Sequence, residues 1–180
     1  MAYVIPFIKA VPDDKAWRVR YVMATKITQF ATKLGSEHTA TTLVPIFTKF
    51  LSDSESEVRT GACNVLSDFC SVLLPEAIVS NLIPTLTALS NDTDVIKAMM
   101  GCHICKLAPI IGQSQTNTHL LPTILTLLRD ENPDVRLSLF NTLEDLKNVI
   151  GSESLAQTIN PAILELCDNK NWRVRNQIVD

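Results

Sequence analysis

Five prolines, each set among apolar residues, recur at nearly equal intervals: Pro6 in VIPFI, Pro45 in LVPIF, Pro84 in LIPTL, Pro122 in LLPTI and Pro161 in INPAI. The intervals are 39, 39, 38 and 39 residues. A period of this size means similar units stacked in a line, because a unit so short cannot bury its apolar surface alone. A second landmark keeps the same register. Trp-Arg-Val-Arg at 17–20 returns at 172–175, 155 residues on, which is the sum of the four intervals. Fourteen residues after the proline stands a basic residue (Arg20, Arg59, Arg136, Arg175), and the third unit, one residue short, has Lys97 at thirteen.

The pattern inside the unit shows what it is made of. Counted from the basic residue, the third positions are Met23, Ala62, Met100 and Leu139, and the seventh are Ile27, Leu66, Ile104 and Leu143. The tenth are Phe30, Phe69, Leu107 and Leu146, and the fourteenth are Leu34, Leu73, Ile111 and Ile150. All are apolar in a chain that is 46% hydrophobic, so the columns are not an effect of composition. Spacings of 4, 3 and 4 place them on one face of a helix about four turns long. Gly35, Gly112 and Gly151 follow, where a left-handed glycine is expected to end the helix.

A shorter stripe flanks each proline. Two residues before it stand Val4, Leu43, Leu82, Leu120 and Ile159; two after stand Ile8, Phe47, Leu86, Ile124 and Ile163. This too is helical spacing, with the proline bending the helix or sitting in its first turns. A polar turn, such as SDSESE or RDENPD, joins the two helices, and Asn132-Pro133 is a favourable N-cap and first-turn pair. No segment alternates with period two. The chain is therefore expected to be all-α, an α-solenoid of antiparallel helix pairs with units 1–38, 39–77, 78–115, 116–154 and a partial 155–180.

The order of residues carries a resemblance. A proline in the first helix, an aspartate eight residues on and Val-Arg opening the second helix is the HEAT-repeat pattern. It stands here as Pro6, Asp14, Val19-Arg20; as Pro45, Asp53, Val58-Arg59; and as Pro122, Asp130, Val135-Arg136. WRVRYVMATKITQFATKLG, NPDVRLSLFNTL and INPAILELCDNKNWRVR resemble, more narrowly, the middle repeats of the scaffold (A-type) subunit of type 2A serine/threonine protein phosphatase. The third unit departs from it with Lys97, and the fifth has Asp168 one position early with Asn169 in its place.

The resemblance implies a non-catalytic scaffold whose intra-repeat turns hold regulatory (B-type) subunits together with a phosphatase catalytic subunit. Trp17 and Arg18 would touch a regulatory subunit, with Asp13, Lys15, Glu55 and Glu57 beside them on the turn ridge, and Trp172 and Arg173 would begin the catalytic-subunit site. Asp14, Arg20, Asp53, Arg59, Asp92, Lys97, Asp130, Arg136 and Arg175 would form a structural ladder between repeats. The family's scaffold is a much longer array. The chain is thus expected to be a piece from its middle, with Asp180 a truncation or gene-model boundary and with self-association through exposed solenoid ends.

Other readings weigh less. A net charge of −3 and a pI near 5.6 disfavour nucleic acid and anionic membranes as partners. No apolar run is long enough for a transmembrane helix, and the start does not read as a signal peptide. Five cysteines without such a peptide indicate reduced thiols and a cytoplasmic, also nuclear, location, where the sequon at Asn91 is idle. Cys102-His103-Ile104-Cys105 invites a zinc or redox reading, but structural zinc wants a second such pair, and the motif lies mid-helix. His38, His103 and His119 have no consistent acid or nucleophile spacing, and no phosphate-binding or nucleophile-elbow motif occurs. No enzyme activity, cofactor or metal is expected. Eleven of the 19 acidic residues fall in the turns, giving an acidic ridge that either solvates helix N-termini or binds partners. Trp17 and Trp172, the only tryptophans, favour binding. The alternative is another HEAT interaction module, such as a nuclear transport receptor.

Overall fold

The computed structural model describes residues 4–167, so Asp168, Asn169, Trp172, Arg173 and Arg175 lie outside the described residues. Helices follow one another in pairs, and no strand occurs among the described residues. The first pair is α1 (Val4–Ala10) with α2 (Trp17–His38). The second is α3 (Val44–Leu51) with α4 (Ser56–Cys63) and α5 (Leu66–Cys70). The third is α6 (Ile83–Leu89) with α7 (Asp94–Ile104). In the fourth, α8 (Leu121–Leu128) is followed by α9 (Pro133–Phe140) and α10 (Leu143–Ile150), and α11 (Ser152–Cys167) comes next. Second helices stack in series, α2 on α4, α4 on α7 and α7 on α9; among first helices α3 packs on α6, and α8 on α11.

The apolar columns form the continuous core. Ile27, Leu66 and Ile104 have no solvent exposure, and neither do Phe47 and Phe50 from the first-helix stripe. Phe47 meets Phe69 across the second hairpin with ring centroids 4.2 Å apart. Each such side chain contributes about 1.5–3 kcal/mol when fully buried, which is what offsets the ordering of so many short helices. Phe30, Leu34 and Leu143 are only half-buried. The first two belong to the first hairpin, which has a neighbour on one side only among the described residues.

Three local features depart from ideal helices, and each has a chemical cause. Before Pro45, Pro84 and Pro122 the chain widens into π-type turns at Thr39–Leu43, Ile78–Leu82 and Thr116–Leu120. In each, the N–H before the proline reaches five residues back, as Val44 does to the Thr39 carbonyl. Proline supplies no N–H and its ring crowds the carbonyl four residues earlier, and the wider turn relieves that clash without ending the helix. Buried Thr39 ties the start of one such turn to the preceding helix, its hydroxyl donating to the Ala31 carbonyl at 3.2 Å.

The second helix of the second and fourth hairpins is not continuous. It is interrupted at Asn64-Val65 and at Asn141-Thr142, where Val65 (φ −110°, ψ 9°) and Thr142 (φ −121°, ψ 0°) leave helical geometry. Both are β-branched residues following an asparagine, a pairing with low helix propensity. Thr142 gains a compensating bond, donating its hydroxyl to the Gly101 carbonyl of the neighbouring hairpin at 3.2 Å.

The glycines that close the second helices, of which Gly35 breaks the Trp17–His38 span at a kink, have positive φ but not the left-handed helical geometry expected of them. Gly35, Gly112 and Gly151 have φ of 77°, 80° and 84° with ψ of 170°, 167° and 154°. The next helix begins at once, so the glycine serves both. The Gly112 N–H closes one helix on the Ala108 carbonyl (2.9 Å), and its own carbonyl accepts the Thr116 N–H that opens the next (3.0 Å). That backbone region is open essentially to glycine alone.

Candidate functional site

The turns between first and second helices are held by a repeated arrangement of charge. Each turn aspartate first folds its own loop: Asp14 accepts the Ala16 N–H (2.8 Å), Asp53 the Glu55 N–H (2.9 Å), Asp92 the Thr93 N–H (2.7 Å) and Asp130 the Asn132 N–H (2.9 Å). From the second turn on, the same carboxylate also receives a cation from the hairpin before. Arg20 donates to both oxygens of Asp53 at 2.7 and 2.8 Å. Arg59 pairs with Asp92 at 2.8 Å, and Lys97 with Asp130 at 2.6 Å. Lys97 also holds Asp94 at 2.8 Å.

The cation reaches back as well. Arg20 donates to the Asp14 carbonyl and Arg59 to the Asp53 carbonyl, each at 2.7 Å. Arg136 is buried and donates to the Asp130 and Glu131 carbonyls. One aspartate thus ties a turn to itself and to the preceding hairpin, and a bidentate guanidinium fits the fork of a carboxylate.

Burial pushes the Asp53 carboxyl up, but the hydrogen bond from Arg20, the Glu55 N–H and the charge of Arg20 reverse this and hold it below its ordinary value. Asp92 is lowered against burial in the same way by Arg59 and Thr93. Arg20 and Lys97 are raised, chiefly by their hydrogen bonds to Asp53 and Asp130. Desolvation lowers Arg136.

The structure divides the residues expected to face a partner. Asp13 lies on the ladder side, pairing with Lys49 at 3.1 Å where both are exposed. Lys15 and Glu55 are exposed. Trp17, Arg18 and Glu57 instead come together in a separate groove of about 840 Å³, lined also by Tyr21, Val22, Ser56, Thr60, Thr93 and Val95. Trp17 is the first residue of α2 and half-buried, with part of its indole packed on the core. The Arg18 guanidinium sits 4.6 Å from the indole centroid, and Tyr21 meets the indole edge-on at 6.4 Å. Glu57 accepts a hydrogen bond from the Ser56 hydroxyl at 3.0 Å.

Tyr21, Val22 and Val95 are 39%, 57% and 65% exposed, so this groove is floored by apolar side chains open to solvent. They stand outside the apolar columns, and only their exposed position beside Trp17 marks them. The groove can take a large apolar side chain between aromatic walls, with Arg18 and Glu57 supplying one charge of each sign.

The Cys-x-x-Cys motif has different surroundings. Cys105 is buried and its thiol is pushed up to about 11 by burial, while Cys102 is half-buried. His103 Nδ1 lies 2.9 Å from the Ser67 hydroxyl, and burial lowers its pKa. Among the described residues no three His, Cys, Asp or Glu side chains come together as a metal site, and no helix is long and apolar enough to cross a membrane.

Helix pairs in series, a proline-widened first helix and a cation–aspartate ladder define an α-solenoid of HEAT repeats. The fold is shared with a designed armadillo repeat protein solved with a (KR)4 peptide, at 18% identity and a TM-score of 0.61 over 99% of this chain and 80% of that one. Residues 36–112 match the PPP2R1A-like HEAT repeat family, and residues 75–176, more than half of the chain, match the family described as PIK3R4-like, middle domain. The chain is a HEAT-repeat protein: residues 75–176 belong to the PIK3R4-like, middle domain family, and residues 36–112 are phosphatase 2A scaffold-like HEAT repeats.

It is 35% identical over 121 residues to the human beta isoform of the 65 kDa A-type regulatory subunit of serine/threonine-protein phosphatase 2A, covering 64% of this chain and 20% of that protein. To human serine/threonine-protein phosphatase 4 regulatory subunit 4 it is 26% identical over 138 residues, covering 76% of this chain and 16% of that one. The chain thus spans a fifth or less of the length of these relatives, which are regulatory subunits of phosphatases.

Proposed function

We propose that this chain is a section of a phosphatase scaffold, one that positions a type 2A catalytic subunit beside a regulatory (B-type) subunit without chemistry of its own. The observation that carries the reading is the Trp17–Arg18 stack, presented at a turn beside the groove that Glu57 also lines. A rigid, half-buried indole capped by a guanidinium is the kind of anchor that concentrates binding energy in protein interfaces. The ladder supports it from behind by fixing each turn to the hairpin before, so that successive turns keep one register. In this reading Trp17 and Arg18 meet the regulatory subunit, Trp172 and Arg173 begin the catalytic-subunit site, and the scaffold acts by raising the effective concentration of one partner near the other.

The test uses purified partners. The 180-residue chain, immobilised on a biosensor, is exposed first to a type 2A catalytic subunit, then to a B-type regulatory subunit. Saturable binding of either, weakened at least tenfold by the matching tryptophan-to-alanine variant, supports the scaffold role. Binding of neither contradicts it.

A second reading rests on the match of residues 75–176 to the PIK3R4-like middle domain. There the same repeats would belong to a regulatory protein of that family, and the phosphatase subunits would not bind while the fold stayed intact.

A further inference from the structure

The groove at Trp17 does not stop at the second hairpin. Val95, its far wall, is also a wall of a smaller hollow of about 370 Å³ lined by Asp94, Ala98, Met99, Cys102, Asn132 and Asp134. Together the two hollows cross the exposed faces of α2, α4, α7 and α9, one second helix from each of four successive hairpins. Neighbouring helices pack about 10 Å apart, so three such steps make a trough of roughly 30 Å, the reach of about nine extended residues.

Its lining is not uniform. Arg18 stands at the α2 end, against the indole of Trp17. The exposed apolar surface of Tyr21, Val22 and Val95 comes next, and Met99 lies beyond Val95. Glu57, on α4, stands between the α2 side chains and Val95, while Asp94 and Asp134 line the far end, where Asp94 accepts the Asn132 amide (2.8 Å) and pairs with Lys97 (2.8 Å). Two close contacts bring the helices of the trough together: a Cβ on Gly61 would lie 2.9 Å from the Tyr21 ring, and one on Gly101 would lie 2.0 Å from the Ser138 hydroxyl.

We infer that this trough docks an extended peptide segment of a partner protein, about nine residues long, with a bulky aliphatic or aromatic anchor followed by basic residues. The anchor fills the space between the Trp17–Tyr21 pair and Val95. The basic side chains run along Glu57 and Asp134, away from Arg18. Charge sets this direction, since a cation placed over Arg18 or an anion placed over Glu57 would meet its own sign. The inference rests on the Trp17 turn being a binding site and not on which protein supplies the segment.

A synthetic array of nine-residue peptides, varied one position at a time, is probed with the full chain. The strongest peptides are then titrated in solution by fluorescence anisotropy against the wild type and the exposed-site variants Val95→Glu and Glu57→Lys, with circular dichroism confirming that both fold. Expected are enrichment of Leu, Ile, Phe or Met at one position, Lys or Arg after it and depletion of Asp and Glu there. Val95→Glu weakens binding at least tenfold, and Glu57→Lys reverses the preference for basic residues. An acidic preference, no positional preference, or affinity unmoved by both variants overturns the inference. The phosphatase reading is scored separately: subunit capture without this peptide preference refutes the trough alone, and the preference without capture refutes the phosphatase partner alone.

Discussion

Arg20 and Asp53, thirty-three residues apart, bind each other through two hydrogen bonds of 2.7 and 2.8 Å, with side chains only 11% and 7% exposed. The pair joins the first hairpin to the turn of the second, and Arg59–Asp92 and Lys97–Asp130 repeat it at the same separation. Asp53→Asn keeps an acceptor for the Glu55 N–H but removes the charge facing a nearly buried guanidinium. Exposed pairs contribute under about 1 kcal/mol and breaking a fully buried one costs about 3–5. The variant is therefore expected to lose about 2 kcal/mol, read as a lower urea midpoint, while Asp13→Asn, which breaks only the exposed pair with Lys49, moves it by less than about 0.5 kcal/mol.

The ladder also fixes the acid response. Asp53 and Asp92 are held below their unfolded values, so near pH 4 the unfolded chain binds more protons than the native one. The stability they contribute is fully present above the ordinary aspartate pKa of about 3.9 and is lost as pH falls through their native values. The urea midpoint should fall modestly below about pH 6.5, where burial opposes protonation of His103, and fall again below about pH 4, with this second decline shallower in Asp53→Asn. A wild type whose midpoint rises on acidification would contradict the assignment.

Gly112, at φ 80° and ψ 167°, holds a backbone region that side chains avoid, although a Cβ there would touch nothing within 4 Å. Gly112→Ala isolates conformational strain from packing, and the expected cost is about 1–3 kcal/mol. A neutral effect in thermal or urea unfolding would mean the chain relaxes without it.

Gly101 tests the opposite cause. Its φ is ordinary, but an added Cβ would fall 2.0 Å from the Ser138 hydroxyl, which itself donates to the Val135 carbonyl at 2.6 Å. Gly101→Ala should destabilise by about 2 kcal/mol through overpacking, and adding Ser138→Ala should restore about half of that. Additive losses in the double variant would show that the two residues do not compete for one space.

Much of this architecture is legible in the residues because period and register are properties of position alone. The columns at Ile27, Leu66 and Ile104 are core, and the interval separating Arg20 from Asp53 recurs wherever the unit recurs. What escapes is what depends on the neighbouring hairpin or on fine backbone geometry. The wide turns before Pro45, Pro84 and Pro122 relieve a clash that residue spacing does not display. The interruptions at Val65 and Thr142 fall inside stripes whose apolar spacing is intact. Tyr21, Val22 and Val95 escape for another reason. An apolar residue off the core stripe has no periodic signature, and only stacking of three hairpins shows that these share one groove with Trp17. Lys97 shows the reverse case: although its turn is one residue short, it stands thirty-three residues before Asp130, as Arg20 does before Asp53, and its ammonium meets that carboxylate at 2.6 Å.

The central claim is that the Trp17–Arg18 turn is where a phosphatase regulatory subunit docks. Its most direct test is capture from cell lysate by the full chain and by its Trp17→Ala/Arg18→Ala variant, both shown folded by circular dichroism and blotted for type 2A catalytic and regulatory subunits. The account predicts that the wild type retains a regulatory subunit, which the folded variant loses. Equal capture by the two would place the site elsewhere on the solenoid, and no capture by the wild type would contradict the phosphatase assignment itself.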